Sequence, residues 1–412
     1  MFRKILILSA ALAGMLLVLA VSGYAWVNSN SLLVPEEVTD NGVRAHASLD
    51  SSTVGAAKAA MLDLRRELSA PGLQASVRIG EDEFFNYSVG VARLEPMVPV
   101  TPQSRFPVGS VAKSMTAVIA ARLAQRGITD LDSPIGVYIP DLPADKMDLT
   151  LRQLLSHQAG IRHYGFAFNL PYFSEFHSLT SYTTVVDSLA IFIDDPLLFE
   201  PDTSFSYSTY GYTLASAALE AAAKADFQSL LETEVTEPAN MTHTRLDRDP
   251  YLPDRVSSYP VNPFNKREVV YLGEPDVSNK WAGGGLVSTA DDLTRFAAAL
   301  LGDDLVEATW REELFAPRLL PDGNENPQHY GLGFRINRRS KESAAGNLYR
   351  AVHHGGTALG SQAFLVMLPA ISLSVAVVIN VNAGGSSLML GRVTELLDLF
   401  VPLAEQRVAG PL

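Results

Sequence analysis

Residues Val108 to Ala117 read Val-Gly-Ser-Val-Ala-Lys-Ser-Met-Thr-Ala, which sets Ser110 and Lys113 three positions apart at the head of a long apolar stretch. From Ser110 to Arg126 the residues are mostly Ala, Val, Ile, Leu and Met, and Gly127 supplies a stop, so the segment reads as a helix. A helix that is apolar on most sides belongs in a core. The fold must therefore take in a lysine with that helix, one turn from a serine and able to meet it.

Burial disfavours the ammonium form and lowers its pKa, which turns an amine into a usable general base near neutrality. The helix N-terminus adds a partial positive charge that favours an oxyanion forming at Ser110. Such a pair would serve a serine hydrolase that has no catalytic histidine. The competing reading, in which Lys113 snorkels to water from a helix end, fits the same spacing, so other segments have to decide between them.

The chain of 412 residues is 47% hydrophobic, enough for a large core and for two or more domains or subdomains. A formal net charge of −13, with no basic run or basic-aromatic patch, argues against a nucleic-acid partner and against charge-driven binding to anionic membranes. Ile5 to Val21 form an uncharged apolar run behind Arg3 and Lys4, and the next charge is Glu36. Residues 1–26 are therefore an export signal or a membrane anchor. Tyr24 and Trp26 sit where interfacial anchors would, whereas Gly23-Tyr24-Ala25 could be cut. Basic residues before the run and acidic ones after it direct the body out of the cytoplasm, so a periplasmic or extracytoplasmic protein, tethered through residues 5–26, is expected. The absence of cysteine excludes a disulfide, a thiol nucleophile and lipid attachment at cysteine.

Residues 27–51 lack periodicity and read as a tether, residues 52–405 as the folded body and residues 406–412 as a tail. A helix over about Val54 to Leu68 precedes two extended runs, Gln74 to Ile79 and Phe84 to Val91, whose short polar link Gly80-Glu81-Asp82 signals a hairpin. Further strands are expected over Tyr330 to Ile336, Tyr349 to His353, Gln362 to Leu368 and Leu373 to Ile379, followed by a last helix over about Leu388 to Val401. Strands at both ends with helical patterns between them imply an α+β fold: one antiparallel sheet from about 52–109 and 290–405, and a mostly helical subdomain from about 110–289.

Tyr207 lies in Phe205-Ser206-Tyr207-Ser208-Thr209-Tyr210, just before a helical run of Leu and Ala. It is a candidate proton shuttle if a cation such as Lys113 adjoins its phenol, and otherwise an ordinary packing residue. In Val352-His353-His354-Gly355-Gly356-Thr357, expected to join two strands, the glycines let backbone approach a ligand, and an amide there could join that of Ser110 in an oxyanion hole. Spaced ligand sets of the His-Glu-x-x-His kind are absent, so a dedicated metal site is not expected, and no Gly-x-Ser-x-Gly elbow is present.

With these segments in order, the chain resembles the serine beta-lactamase-like superfamily of class C beta-lactamases, penicillin-binding DD-peptidases and related esterases. It is most similar to the mitochondrial-type serine beta-lactamase-like members. The resemblance spans residues 52–405 and is carried by Ser110-Val-Ala-Lys113, Leu154-Leu155-Ser156-His157-Gln158-Ala159-Gly160, Tyr207-Ser208-Thr209, Lys280-Trp281-Ala282-Gly283-Gly284-Gly285 and His353-His354-Gly355-Gly356. It implies a beta-lactamase/transpeptidase-like fold, with Ser110 as acylated nucleophile, Lys113 as its base and Tyr207 as proton shuttle. His353 would stand where a lysine is usual, Thr209, Gly355 and Gly356 would face the substrate, and Ser110 and Gly356 would form the oxyanion hole. No cofactor is implied, and relatives of the mitochondrial type form filaments, so a homo-oligomer is within the family's range.

Two departures stand out: Thr209 occupies the asparagine position of the Tyr-x-Asn pattern, and His353 replaces a lysine. Threonine lacks the amide, and an unperturbed histidine is largely neutral at pH 7. Both changes weaken a grip on a substrate carboxylate. The expected function is therefore hydrolysis of peptide or ester bonds; D-Ala-D-Ala carboxypeptidase or beta-lactamase activity and a catalytically silent scaffold are the alternatives. His157 and His163 are expected to be structural, Gly283 to Gly285 to allow close packing, Ser288 or Thr289 to cap the helix bearing Asp291 and Asp292, and loops such as 165–205 to set specificity.

Overall fold

Gly72–Ile79 and Leu373–Ile379 are buried along their whole length, so the sheet they build must be covered on both faces. The computed structural model describes residues 2–38, 40–165, 175–178, 180–249, 251–338, 347–384 and 386–409. Its main sheet is made by β1 (Asp40–Ala45), β2 (Gly72–Ile79), β3 (Asp82–Arg93), β4 (Arg335–Arg338), β5 (Arg350–Ala358), β6 (Ser361–Leu368) and β7 (Leu373–Ile379). They lie in the order β4-β5-β6-β7-β2-β3-β1, with Val98–Pro99 paired on β3 as an eighth strand. Neighbours are antiparallel throughout. β2 and β3 form the expected hairpin, turning at Gly80 with φ +60°. The last strand returns to pair with them, Val375 opposite Val77, which joins the two ends of the body.

The alternation along β7 separates two cores. Val375, Val377 and Ile379 pack with Met61 and Leu64 of α2 (Ser51–Glu67) and with Val393, Leu396 and Phe400 of a C-terminal helix, Ser386–Ala409. Ala376 and Val378 face the other way, into the core that holds Leu293, Phe296 and Ala297 of Ala290–Leu301. α2 starts where the Asp50 side chain accepts from Thr53 N at 2.9 Å. Of the two caps expected for Ala290–Leu301, Thr289 does the work, its hydroxyl accepting from Asp292 N at 3.1 Å.

The second core continues into the helical lobe, built around α3 (Ala112–Gln125) and α4 (Thr209–Ala223), both buried over most of their length. The chain enters α3 from a short strand, Phe106–Pro107, paired with Leu286–Ser288, and Val108 N donates to Leu286 O at 3.0 Å. This pins the turn that carries Ser110 to the far end of the lobe.

Three expectations differ from the structure. Residues 27–51 are not a free tether: Ser31–Leu33 pairs with Glu268–Val270, and β1 forms a sheet edge against β3. Strands of three and six residues are too short to carry a legible apolar alternation. His353 to Thr357 do not connect strands but lie within β5, because glycine is tolerated where another backbone crowds the strand. The last helix runs on to Ala409, past the expected start of the tail at 406, while residues 410–412 lie outside the described residues. At the other end, Phe2–Ser29 is helix α1. The side chains of residues 1–14, half of the expected anchor, lie outside the described residues; among the described residues no helix is long and apolar enough to cross a membrane.

Asn380 follows β7, fully buried; its carbonyl accepts from Gly72 N at 2.6 Å and its amide donates to Val91 O at 3.1 Å and Ala92 O at 3.3 Å. Asn380→Ala removes these bonds, and although Ala92 O keeps Ser257 N at 2.9 Å, Gly72 N and Val91 O lose their side-chain partner, so urea unfolding should show a loss of about 2–4 kcal/mol.

Candidate active site

Gly109 has φ +50°, a conformation that suits glycine, and a Cβ there would lie 2.6 Å from Thr357 O. The resulting turn, Gly109–Val111, presents Ser110 at the head of α3. Gly356 on β5 comes closer still: its Cβ would stand 1.9 Å from Val108 O and 3.1 Å from Ser110 N. The turn that carries Ser110 and the β5 backbone thus lie side by side, at a distance only glycine permits.

Lys113, fully buried, points its Nζ at three oxygens: Ser110 Oγ at 3.2 Å, Thr209 Oγ1 at 3.0 Å and Gly283 O at 2.5 Å. Burial holds its pKa well below the usual lysine range, and the charges of Arg335 and Lys280 push it the same way. A neutral amine can donate to the Gly283 carbonyl and the Thr209 hydroxyl and keep its lone pair for the proton of Ser110. Gly283 can approach because a Cβ on it would lie 2.5 Å from Thr209 Cγ2. The snorkelling alternative for Lys113 does not occur.

Tyr207 lies just before α4, with Lys113 Nζ 4.9 Å and the Arg335 guanidinium 5.2 Å from its ring centre. Burial raises its pKa; the Arg335 charge and hydrogen bonding to Ser110 and Arg335 oppose the rise. The phenol therefore keeps its proton near neutrality.

Two histidines place this segment. His157 Nδ1 accepts from Ser208 N and His163 Nδ1 from Thr209 N, each at 3.1 Å. Both rings are kept neutral by burial, His163 down to about 3.

Ser110, Tyr207, Thr209, His353, Gly355 and Gly356 line one cavity of about 490 Å³. Lys113 is beneath it, in contact with Ser110. His353 Nε2 accepts from Asn337 Nδ2 at 2.8 Å, while its buried Nδ1 has no partner among the described residues. Burial, reinforced by Arg335, lowers its pKa to about 4, so it supplies no cation in place of the usual lysine.

Sequence reasoning missed the cations that are present. Arg335 on β4 stands opposite His353 in the register, and Lys280 enters the wall from the helical lobe. Lys280 donates to Phe176 O, and burial lowers its pKa to about 7. Among the described residues the cavity wall includes no carboxylate. Lys280 stood in a quoted motif, but its role depends on a distant loop; Arg335 carried no local signal. Of the loop 165–205 expected to set specificity, Phe176 reaches the wall, and residues 166–174 and 179 lie outside the described residues.

The beta-lactamase family profile matches residues 57–397, and the chain belongs to that family. Penicillin-binding proteins are among its relatives, and the family is one of serine hydrolases. The mitochondrial serine beta-lactamase-like protein of Homo sapiens is 26% identical over 386 residues, covering 74% of this chain and 70% of that protein. A penicillin-binding protein of Bacillus subtilis (strain 168) is 27% identical over 289 residues, covering 67% of this chain and 61% of its own length. The D-amino acid amidase from Ochrobactrum anthropi SV3 shares the fold with a TM-score of 0.71 at 20% identity, over 87% of this chain and 100% of that one.

The buried imidazoles set the response to acid. Folded His353 stays neutral to about pH 4, whereas the unfolded chain takes up the proton near its ordinary 6.5. Stability should therefore fall as the pH drops from about 6.5 to about 4, by of order 3 kcal/mol from His353 alone. Urea titrations across this range should show the slope, and His353→Asn should lessen it, the part due to the other buried imidazoles remaining.

Proposed function

We propose that the protein is a serine hydrolase acting through a Ser110 acyl-enzyme on peptide or ester bonds. The observation that carries this reading is the setting of Lys113, a buried amine with no carboxylate against it among the described residues and with Ser110 Oγ at 3.2 Å. Lys113 takes the hydroxyl proton as Ser110 Oγ attacks the acyl carbon. The amides of Ser110 and Gly356 receive the oxyanion. Tyr207, still protonated, gives its proton to the leaving group and recovers one from Lys113. Water then attacks the ester, activated by the same amine, and releases the acid and free Ser110. Thr209 keeps Lys113 aimed, and neutral His353 shapes the wall; neither carries charge in these steps.

A second reading, D-Ala-D-Ala carboxypeptidase or beta-lactamase activity, is favoured by the cations in the wall. Arg335 and Lys280 could hold a substrate carboxylate that His353 cannot. The names of the Bacillus penicillin-binding protein and of the amidase bracket these two readings.

We further propose that residues 5–26 hold the body at a membrane, on its extracytoplasmic side. The uncharged run from Ile5 to Val21, with Arg3 and Lys4 before it, supports this.

Intact-protein mass spectrometry after exposure to a fluorophosphonate should show one adduct, lost in Ser110→Ala while the fold is retained. Lys113→Met should slow acylation by about 10²- to 10⁴-fold. A long-lived adduct from a penicillin would favour the second reading, and no Ser110-dependent adduct from either reagent would identify a silent scaffold.

A further inference from the structure

Among the described residues, five large aromatic side chains are strongly exposed: Tyr24, Trp26, Tyr251, Phe264 and Tyr271, from 38% for Tyr271 to 77% for Tyr251. They come from two distant segments, 24–26 and 251–271, yet gather where α1 meets the body. The rings of Tyr24 and Phe264 meet edge to face with centres 5.0 Å apart. Tyr271 N donates to Asn30 O at 3.3 Å, and Tyr251 and Tyr271 line a cavity with residues 29–32. Leu33, 68% exposed, is on the strand Ser31–Leu33, which pairs with Glu268–Val270 just before Tyr271.

A soluble surface scatters its exposed apolar residues; a cluster of this kind marks a contact. Tyr and Trp favour the boundary between lipid headgroups and acyl chains, where the ring is buried and its polar tip stays wet. The cluster is continuous with α1, whose residues Met15 to Val21 are also largely exposed, and Lys266 stands exposed two residues from Phe264.

We propose that Leu33, Tyr251, Phe264 and Tyr271 form a membrane-docking face that seats the folded body on the lipid surface at the foot of α1. The inference rests on the membrane reading proposed above and goes beyond it: the body does not hang from a free linker but lies against the bilayer in one orientation.

The chain has no cysteine, so single-cysteine variants of the full-length protein can each carry an environment-sensitive fluorophore. The variants are Tyr251→Cys and Phe264→Cys on the face, Trp26→Cys on α1, and Val137→Cys at an exposed position of the helical lobe as control. In vesicles of phosphatidylethanolamine and phosphatidylglycerol, labels at 26, 251 and 264 should brighten severalfold, and the label at 137 should not. If 26 brightens while 251 and 264 do not, docking is overturned and the anchor stands. If none brightens, the membrane reading and docking fall together. Brightening of 251 and 264 without lipid, rising with protein concentration, would assign the face to a second copy and overturn the proposal.

Discussion

An amine buried with no carboxylate against it among the described residues is the constraint around which the lobe is arranged. Holding Lys113 as an ammonium in this place would cost several kcal/mol, and the neighbouring Arg335 and Lys280 add to the penalty. The apolar faces of α3 remove water, α4 delivers the Thr209 hydroxyl, and the short helix Trp281–Gly284 delivers the Gly283 carbonyl. These two acceptors suit a neutral amine and leave its lone pair towards Ser110. On the proposed mechanism, the reactivity of Ser110 is a property of the packing around Lys113 more than of the serine itself.

The histidines take a different part from the one they have in a triad. His157 and His163 act as acceptors for consecutive backbone amides, Ser208 N and Thr209 N, and so fix the segment that carries Tyr207. Only neutral imidazole can do this through Nδ1, and burial keeps both rings neutral. His353 is neutral for the same reason. The positive charge of the cavity then comes from side chains with higher intrinsic pKa, in a chain whose net charge is −13. Burial, not overall charge, decides the local field.

The hairpin of β2 and β3, β6 and β7, and the apolar helix after Ser110 were legible because each carries its own pattern, alternation or continuous apolarity. The meeting of Ser110 with Lys113 was legible from one turn of helix. Arg335 was not, because it reaches the cavity only through the pairing of β4 with β5, a register that no local pattern records. The strands within 27–51 were hidden by brevity. The glycines of β5 were legible as a place of close approach, but their partner, the backbone of Val108, lies some 250 residues upstream.

That separation has a consequence for the order in which the molecule matures. Ser361 Oγ donates within reach of both Pro107 O and Ile379 O, each at 2.8 Å, tying the turn before Ser110 to strands made near the end of synthesis. A chain still emerging from the ribosome can hold Ser110 beside Lys113 on α3 yet lack the opposite wall, Gly356 and Arg335 included. Under the proposed function, competence at the cavity waits for the C-terminal strands to close the sheet. A half-made chain lacks the wall opposite Ser110, and with it the second amide of the proposed oxyanion hole.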